Sequence, residues 1–278
     1  MLTCTGSQAP SASEHLAVEV LKISSEAPNR QTIEYAASFI RRGRVVAIPT
    51  DTVYGLSADP FNLAAIERVF RIKGRPESQA LPILVNSVEQ AITLIRDVPD
   101  VFLTLANKLW PGALTLVVGA THRLPLKVTG NTGRVALRWP DSRIASALIE
   151  AAGGPITGTS ANLSGYPSCT SAGAIMEQLG ERLPLILDSG ETGGTLSSTI
   201  VRIEDDSWFV AREGALSESE IRKALGTERG AAYWICAVSR KSYSPVGASL
   251  IPVTRVRWTH TLSTYHKLIY GSSSATIF

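Results

Sequence analysis

The stretch from Arg44 to Leu56, RVVAIPTDTVYGL, constrains the fold more than any other part of the chain. It begins with an apolar run, Val45 to Ile48, that is long enough for one buried strand. Because Pro49 has no backbone N–H, the hydrogen-bond ladder of that strand is expected to end there. Two hydroxyls, a carboxylate and a phenol follow at once, at the place where open α/β sheets bind ligands.

A polar turn is the ordinary interpretation of a single strand end of this kind. Similar polar residues follow three other predicted strands, however, and this recurrence favours a binding site. Strands alternate with helices as far as residue 226, which predicts an α/β fold with an open, twisted, mixed sheet and helices on its faces. The predicted strands are 16–23, 45–48, 81–85, 114–118, 134–139, 155–159, 185–187, 198–203 and 208–211.

Capping residues mark the predicted helices. A helix over Gln31 to Arg42 ends before Gly43, which suits the position just past a helix C-terminus. Five other helices are predicted to begin at capping residues: Asn62, Ser87 with Gln90, Asp141, Ser171, and Ser217 with Glu220. The helix that begins at Ser87 is predicted to reach Ile95. One further helix is predicted over Asp100 to Leu109.

Composition and charge divide the chain into three parts. Residues 1–15 are rich in Ser, Ala and Pro and are expected to be disordered, whereas residues 16–226 are expected to fold. Residues 227–278 hold six basic residues and one acid, Glu228, so their net charge is +5. Because the whole chain has a net charge of +3, residues 1–226 have a net charge of −2. We expect residues 227–278 to be a basic, poorly ordered C-terminal extension, and an RNA-contacting arm is the alternative. By charge alone, residues 1–226 are not a basic nucleic-acid-binding domain.

Neither metal nor membrane chemistry is indicated. Cys4, Cys169 and Cys236 are widely spaced, and no paired Cys/His spacing occurs, so a disulfide framework and a zinc site are both unsupported. The first 27 residues lack an apolar core segment and an Arg-rich, acid-poor composition, and the apolar runs are too short to span a bilayer. A cytoplasmic protein is the expectation.

Three cations stand out among the candidate binding residues. Lys73 and Arg75 flank Gly74 in a predicted loop, where an ammonium and a fork-shaped guanidinium could face one anion. A solvated basic loop is the ordinary alternative. Arg138 is predicted to lie inside a strand, where an unpaired charge is costly to bury, so it should meet a carboxylate of the protein or of a ligand.

Hydroxyls and an amide recur in two turns, Thr159 to Asn162 and Ser197 to Thr199. Neutral donors of this kind suit the oxyanions of phosphate, carboxylate or bicarbonate. Neither a Walker-type phosphate loop nor a dinucleotide-binding glycine motif occurs, and no carboxylate pair suggests a general acid and base, although Asp51 and Asp59 are the acids nearest the central loop. The implied chemistry is positioning and charge stabilisation, as in transfer at phosphorus.

Six motifs, in order, resemble those of the YrdC-like threonylcarbamoyl-AMP synthases: PTDTVYGL, KGR, VALRWP, TSANLSG, SSTIV and REGALS. The resemblance covers about residues 16–226, which would form the catalytic domain. It implies condensation of L-threonine, bicarbonate and ATP to threonylcarbamoyl-AMP and pyrophosphate, for a partner complex that modifies an adenosine of tRNA. It also implies an open α/β structure with a positively charged cavity, and weak tRNA binding is a further possibility.

Matched positions carry the family's roles to this chain. The resemblance implies that Thr50, Arg138 and Ser198 bind threonine. Lys73 and Arg75 would act as the catalytic cations on the ATP phosphates. The remaining implied site residues are Ser160, Asn162 and Arg212 for the nucleotide, and Thr52 and Tyr54 as cavity walls. Mg²⁺ would be held mainly by the phosphates, because the sequence shows no dedicated ligand set.

The chain also departs from the family pattern. Gln79-Ala80 stands where many relatives have Lys-Pro, so one phosphate-facing cation is missing and ATP affinity is expected to differ. The sequence of residues 227–278 does not resemble the second domain of longer relatives. Two alternatives remain: a non-catalytic module of the same fold that binds RNA or a nucleotide, and a carbamoyl-transfer module of hydrogenase maturation.

Overall fold

The structure is a computed structural model that describes residues 18–194, 196–205 and 207–226. The predictions for residues 1–15 and 227–278 lie outside the described residues. The strands are β1 Glu19–Lys22, β2 Val46–Ile48, β3 Gly55–Ser57, β4 Ile83–Leu84, β5 Leu114–Gly119, β6 Arg134–Arg138, β7 Ile156–Thr157, β8 Thr159–Ser160, β9 Leu185–Asp188, β10 Thr199–Glu204 and β11 Ser207–Arg212. The α-helices are α1 Arg30–Arg41, α2 Leu63–Lys73, α3 Val88–Ile92, α4 Asp100–Leu109, α5 Arg143–Ala152, α6 Ala172–Gln178 and α7 Glu218–Ala224.

The predicted mixed α/β architecture is confirmed, but the strands form two sheets. One has five strands in the order β1-β9-β2-β3-β8, and the other has six in the order β11-β10-β5-β6-β4-β7. Parallel and antiparallel pairs occur in both: β2 is parallel to β9 and antiparallel to β3, while β5 is parallel to β10 and antiparallel to β6. Each sheet is therefore mixed, as the alternation of elements predicts.

The division into two sheets occurs at Gly158, within the predicted strand 155–159. Residues before it form β7, which pairs with β4, and residues after it form β8, which pairs with β3 of the other sheet. A Cβ atom at Gly158 would lie 2.3 Å from Cγ of Leu84, so the chain changes sheets where its backbone touches a buried leucine. A one-dimensional apolar pattern does not distinguish one strand from two that meet at a corner.

Strand β2 is buried on both faces. Val45 and Ala47 belong to one hydrophobic cluster, and Val46 and Ile48 belong to another, which fills the space beneath α1 and α5. The two-residue period of a strand thus assigns alternate side chains to two cores. The uninterrupted apolar run and its end at Pro49 follow from this position.

The predicted helix ends are confirmed with three exceptions. The first is the predicted capping box of Ser87 with Gln90: the Ser87 side chain accepts from the backbone N–H of Gln90, but Gln90 Oε1 accepts from the backbone N–H of Asn86 rather than from that of Ser87. Asn62 and Ser171 cap α2 and α6 as predicted, and Ser217 with Glu220 forms the capping box of α7. The prediction that Asp141 caps α5 is wrong, because Ser142 accepts the hydrogen bond from the backbone N–H of Ala145. Helix α3 ends at Ile92 rather than Ile95, since Ile95 forms an antiparallel bridge with Ala120. No helix of the described residues is both long enough and apolar enough to cross a membrane.

Candidate active site

The turn after β2 is held by its own hydroxyls. Thr50 Oγ1 donates to the carbonyl oxygen of Val53 at 2.7 Å and accepts from the backbone N–H of Thr52 at 3.2 Å. It also lies 3.1 Å from Thr52 Oγ1. These hydrogen bonds hold the conformation of the turn that follows Pro49, where the strand ends. The turn therefore presents its oxygen atoms in a defined arrangement.

Arg138, the last residue of β6, reaches this turn. Its Nη1 donates to Thr52 Oγ1 at 2.8 Å, its Nη2 to Asp51 Oδ1 at 2.6 Å and its Nε to the carbonyl oxygen of Gly112 at 3.0 Å. The residue is 7% exposed, and burial lowers its pKa although the Asp51 carboxylate opposes that shift. The prediction that Arg138 meets a carboxylate is confirmed.

Lys73 is the final residue of α2 rather than part of a loop, and the helix ends at Gly74 in the left-handed conformation, with φ of 59°. Its Nζ donates to the carbonyl oxygens of Ser160 and Asn162, the latter at 2.8 Å, and lies 3.3 Å from Asn162 Oδ1. Burial, and then the charge of Arg75, lower the pKa of Lys73 to about 8. The alternative of a solvated basic loop is therefore wrong for Lys73, which is 2% exposed.

Arg75 lies beside Lys73 and is half-buried. Its Nη1 donates to Thr159 Oγ1 at 3.1 Å and its Nη2 to the carbonyl oxygen of Ala80 at 2.8 Å. The Nε atom is buried without a hydrogen-bond partner among the described residues. An unpaired buried N–H is costly, so this donor is expected to require an acceptor from a ligand or from water.

Ser198 and Arg212 extend the site to the end of the six-stranded sheet. The side chain of Ser198 is buried, and its Oγ lies 2.8 Å from Thr115 Oγ1. Arg212, at the exposed rim, donates from Nη2 to the carbonyl oxygen of Ser198 at 2.7 Å. Desolvation and then the charge of Arg138 lower the pKa of Arg212.

These cations repel one another in series. Burial is the main cause of the lowered pKa of Lys73, Arg75 and Arg212. After burial, Arg75 lowers the pKa of Lys73, Arg212 lowers that of Arg75, and Arg138 lowers that of Arg212. Of the four, Arg138 is paired with a carboxylate, Asp51. Cations that disfavour one another's charge in a partly buried region are stabilised by an anion between them. The arrangement suits a ligand with several negative charges.

A cavity of about 310 Å³ opens beside this turn, and Thr50, Asp51, Ser142, Ser189 and Gly193 are among its lining residues. Its volume is at the lower limit of small-molecule pockets. Of the predicted site residues, Thr50 lines this cavity, and Arg138 lies directly behind it through Asp51.

Tyr54 supports the cavity from behind. Its side chain is fully buried in the core, so it does not form an open wall. Its hydroxyl donates to the carbonyl oxygen of Gly190 at 2.7 Å and accepts from the backbone N–H of Ser189 at 3.2 Å. Thr52 is also buried, and a Cβ atom at Gly194 would lie 2.6 Å from its carbonyl oxygen. The loop after β9 is thus packed directly on the turn after β2.

Three residues that contact predicted site residues have no role assigned from the sequence. Asp51 pairs with Arg138, Thr115 contacts Ser198, and Thr159 contacts Arg75. Asp51 and Thr159 lie within the polar motifs PTDTVYGL and TSANLSG, so their place in the site is predictable from the sequence. Thr115 lies in an apolar strand, and no local pattern marks it.

A family model, that of the Sua5, YciO and YrdC proteins, described as telomere recombination, matches residues 38–214. The chain belongs to this family. Threonylcarbamoyl-AMP synthase of Pyrococcus abyssi is 41% identical over 197 residues, which are 71% of this chain and 58% of that protein. A putative threonylcarbamoyl-AMP synthase of Mycobacterium tuberculosis is 35% identical over 193 residues, 69% of this chain and 88% of that protein.

Among solved structures of the Sua5/YciO/YrdC family, P. abyssi Sua5 in complex with L-threonine matches with a TM-score of 0.72 and 38% identity. The match covers 75% of this chain and 61% of that one. The chain therefore spans less than two thirds of the length of its P. abyssi relative.

Proposed function

We propose that this chain is a threonylcarbamoyl-AMP synthase, a nucleotidyltransferase that condenses L-threonine, bicarbonate and ATP to threonylcarbamoyl-AMP and pyrophosphate. The observation that carries the proposal is the series of four cations that begins at Arg138, which hydrogen-bonds Thr52 and Asp51 in the turn after β2, and continues through Arg212 and Arg75 to Lys73. This series suits a triphosphate next to a small amino acid. The catalytic domain is proposed to comprise residues 16–226. The threonine bound to the P. abyssi relative supports the amino-acid part.

In this proposal, threonine binds between Thr50, Arg138 and Ser198. The guanidinium of Arg138 uses three of its five N–H groups within the protein, so two remain for a carboxylate. Asp51 keeps the guanidinium oriented through Oδ1 and is among the lining residues of the cavity, so its second carboxylate oxygen is proposed to accept a hydrogen bond from the amino group of threonine. Thr52 positions Arg138, and Tyr54 positions the loop that covers the turn.

The triphosphate is proposed to lie along Lys73, Arg75 and Arg212. Arg75 offers its unpaired Nε, and Lys73 contributes charge rather than free donors, since its ammonium already meets peptide oxygens. Ser160 supplies a half-buried hydroxyl. Asn162 acts indirectly, because its side-chain amide donates to the carbonyl oxygens of Leu163 and Tyr166 and so shapes the loop.

The chemistry proceeds in two steps. The neutral amine of threonine attacks the carbon of bicarbonate, water leaves, and a carbamate forms. A carbamate oxygen then attacks the α-phosphorus of ATP, and the bond to the leaving pyrophosphate breaks. Charge accumulates on the pyrophosphate as that bond breaks, and Lys73 and Arg75 stabilise it.

Magnesium is proposed to enter with ATP. No group of three or more His, Cys, Asp or Glu side chains suited to a metal occurs in the described part of the chain. The donors for Mg²⁺ would then be phosphate oxygens and water, which the ion prefers. Downstream, the adenylate would be consumed by a transferase complex that places the threonylcarbamoyl group on an adenosine of tRNA.

The test is pyrophosphate release from ATP in the presence of bicarbonate and labelled threonine, together with detection of a labelled adenylate. Lys73→Ala and Arg75→Ala should each lower the rate by orders of magnitude, whereas Arg123→Ala, at an exposed position, should not. Wild-type rates in both variants would refute the assignment. Nucleotide binding without threonine-dependent ATP consumption would favour the non-catalytic binding module.

A further inference from the structure

A second basic region lies outside the candidate active site. It is a groove of about 630 Å³, larger than the cavity beside Thr50, and its rim carries four arginines: Arg44, Arg68, Arg71 and Arg182. All four are exposed. One carboxylate, Glu181, is also among the lining residues that the structure describes. The rim therefore has a positive charge that the total of −2 for residues 1–226 conceals.

The groove and the candidate active site use opposite ends of the same strands. Arg44 precedes β2 and Arg182 precedes β9, and these two strands are parallel. The turns at Thr50 and Ser189 follow the other ends of these strands. Helix α2 separates the two regions. Residues two apart on a helix do not face each other, so Arg71 lines the groove whereas Lys73 points to Ser160.

Two of the arginines are anchored to backbone oxygens, and two keep their guanidinium groups available. Arg68 Nη1 donates to the carbonyl oxygen of Gly43, and Arg182 Nη1 to that of Ile72 at 3.2 Å. Within the described residues, the guanidinium groups of Arg44 and Arg71 donate no hydrogen bond. Arg44 lies over the ring of Phe39, 5.8 Å from its centroid, so its position is also restrained.

We propose that this groove binds the phosphodiester backbone of a nucleic acid strand. Guanidinium forks match phosphate oxygens in pairs, and several on one rim can hold successive phosphates. The apolar floor, Val45, Ile72 and Leu183, is itself buried, so it offers little of the apolar area that anchors a protein partner. No aromatic side chain is among the described lining residues, and so recognition depends on the backbone rather than on base stacking.

The experiment measures binding of the full 278-residue chain to a short single-stranded RNA and to the same sequence in DNA, by fluorescence anisotropy at several salt concentrations. The test variant is Arg44→Gln/Arg71→Gln. The matched control, Arg30→Gln/Arg123→Gln, removes the same charge from exposed positions outside the groove and leaves residues 227–278 unchanged. Thermal melting confirms that both variants fold.

The test variant should bind about tenfold more weakly at low salt. Because each phosphate contact on a single strand contributes about 0.7 to the salt slope, that slope should fall by about 1.4. The control variant should match the wild type. An equal loss in both variants, or no loss in either, would overturn the proposal.

Competition separates the possible ligands. If poly-glutamate displaced the RNA as well as an unlabelled oligonucleotide of equal charge does, an acidic protein segment would replace nucleic acid as the ligand. Displacement by inorganic phosphate alone at low concentration would likewise contradict a backbone site. Pyrophosphate release by the test variant should equal that of the wild type, so failure of this proposal is distinguishable from failure of the proposed function.

Discussion

Nη2 of Arg138 lies 2.6 Å from Oδ1 of Asp51, and this contact joins the last residue of β6 to the turn that follows β2. The side chains of the two residues are 8% and 16% exposed. The pair thus connects the six-stranded sheet to the five-stranded sheet at the candidate active site. The charge of Arg138, costly to bury alone, is offset there by a carboxylate.

Asp51→Asn should lower the free energy of unfolding by about 3 kcal/mol, because it leaves a buried guanidinium without an opposing charge while keeping the shape of the side chain. Urea denaturation measures the loss. Asp59→Asn is the matched control, since Asp59 Oδ1 accepts a backbone hydrogen bond from Phe61 that asparagine can also accept. Equal stability of the two variants would show that the ion pair contributes nothing to folding.

Gly194→Ala should weaken threonine binding by at least about tenfold. The new Cβ would lie 2.6 Å from the carbonyl oxygen of Thr52 and 2.7 Å from its Cα, and a backbone cannot yield as a side chain can. The loop after β9 would therefore separate from the turn that Arg138 holds. Gly154→Ala is the control, because a Cβ atom at that position would meet nothing within 4 Å and Gly154 does not line the cavity. Calorimetric titration with threonine compares the two, and equal affinities would contradict the packing argument.

Gly158→Ala should destabilise the fold by about 2 kcal/mol, because the added methyl overlaps a buried leucine. The new Cβ would lie 2.3 Å from Cγ of Leu84, which is 1% exposed and packed within a hydrophobic core cluster. Gly154→Ala, four residues earlier, meets nothing within 4 Å and should leave the melting temperature unchanged or slightly raised. If the melting temperatures of both variants equalled that of the wild type, the two sheets would not be fixed by contact at this corner.

Affinity for ATP should fall as pH rises through about 8, the value to which burial and Arg75 lower the pKa of Lys73. Above that pH, the free protein carries a neutral amine that no longer attracts phosphate. The fall should vanish in Lys73→Arg, since a guanidinium stays charged. Calorimetric titrations across this range provide the measurement, and a wild-type affinity independent of pH would contradict the assignment.

The same shift affects stability with a definite sign. Between about 8 and 10.5, the unfolded chain binds a proton at Lys73 that the folded protein does not. The contribution of Lys73 to the free energy of unfolding therefore rises with pH over this window. Comparing urea midpoints of the wild type and Lys73→Met at pH values below and within the window isolates this contribution, which should be absent from the methionine variant.

Local patterns predicted most of the elements because each depends on a few adjacent residues. The cap of α2 at Asn62 and the capping box of Ser217 with Glu220 are of this kind. The corner at Gly158 was not predictable, because it depends on Leu84, which is remote in sequence. In the site, the need of Arg138 for a carboxylate followed from burial alone, whereas the identity of Asp51 as its partner required the packing of two sheets.

The series of four cations has a consequence for turnover. An empty site keeps like charges close, and a ligand relieves that repulsion in proportion to the negative charge that it brings. ATP brings a triphosphate, whereas the acyl-adenylate retains one phosphate. In the proposed reaction, the adenylate would therefore be the weaker ligand and leave first, whereas pyrophosphate, which keeps most of the charge, would dissociate more slowly and compete with the next ATP.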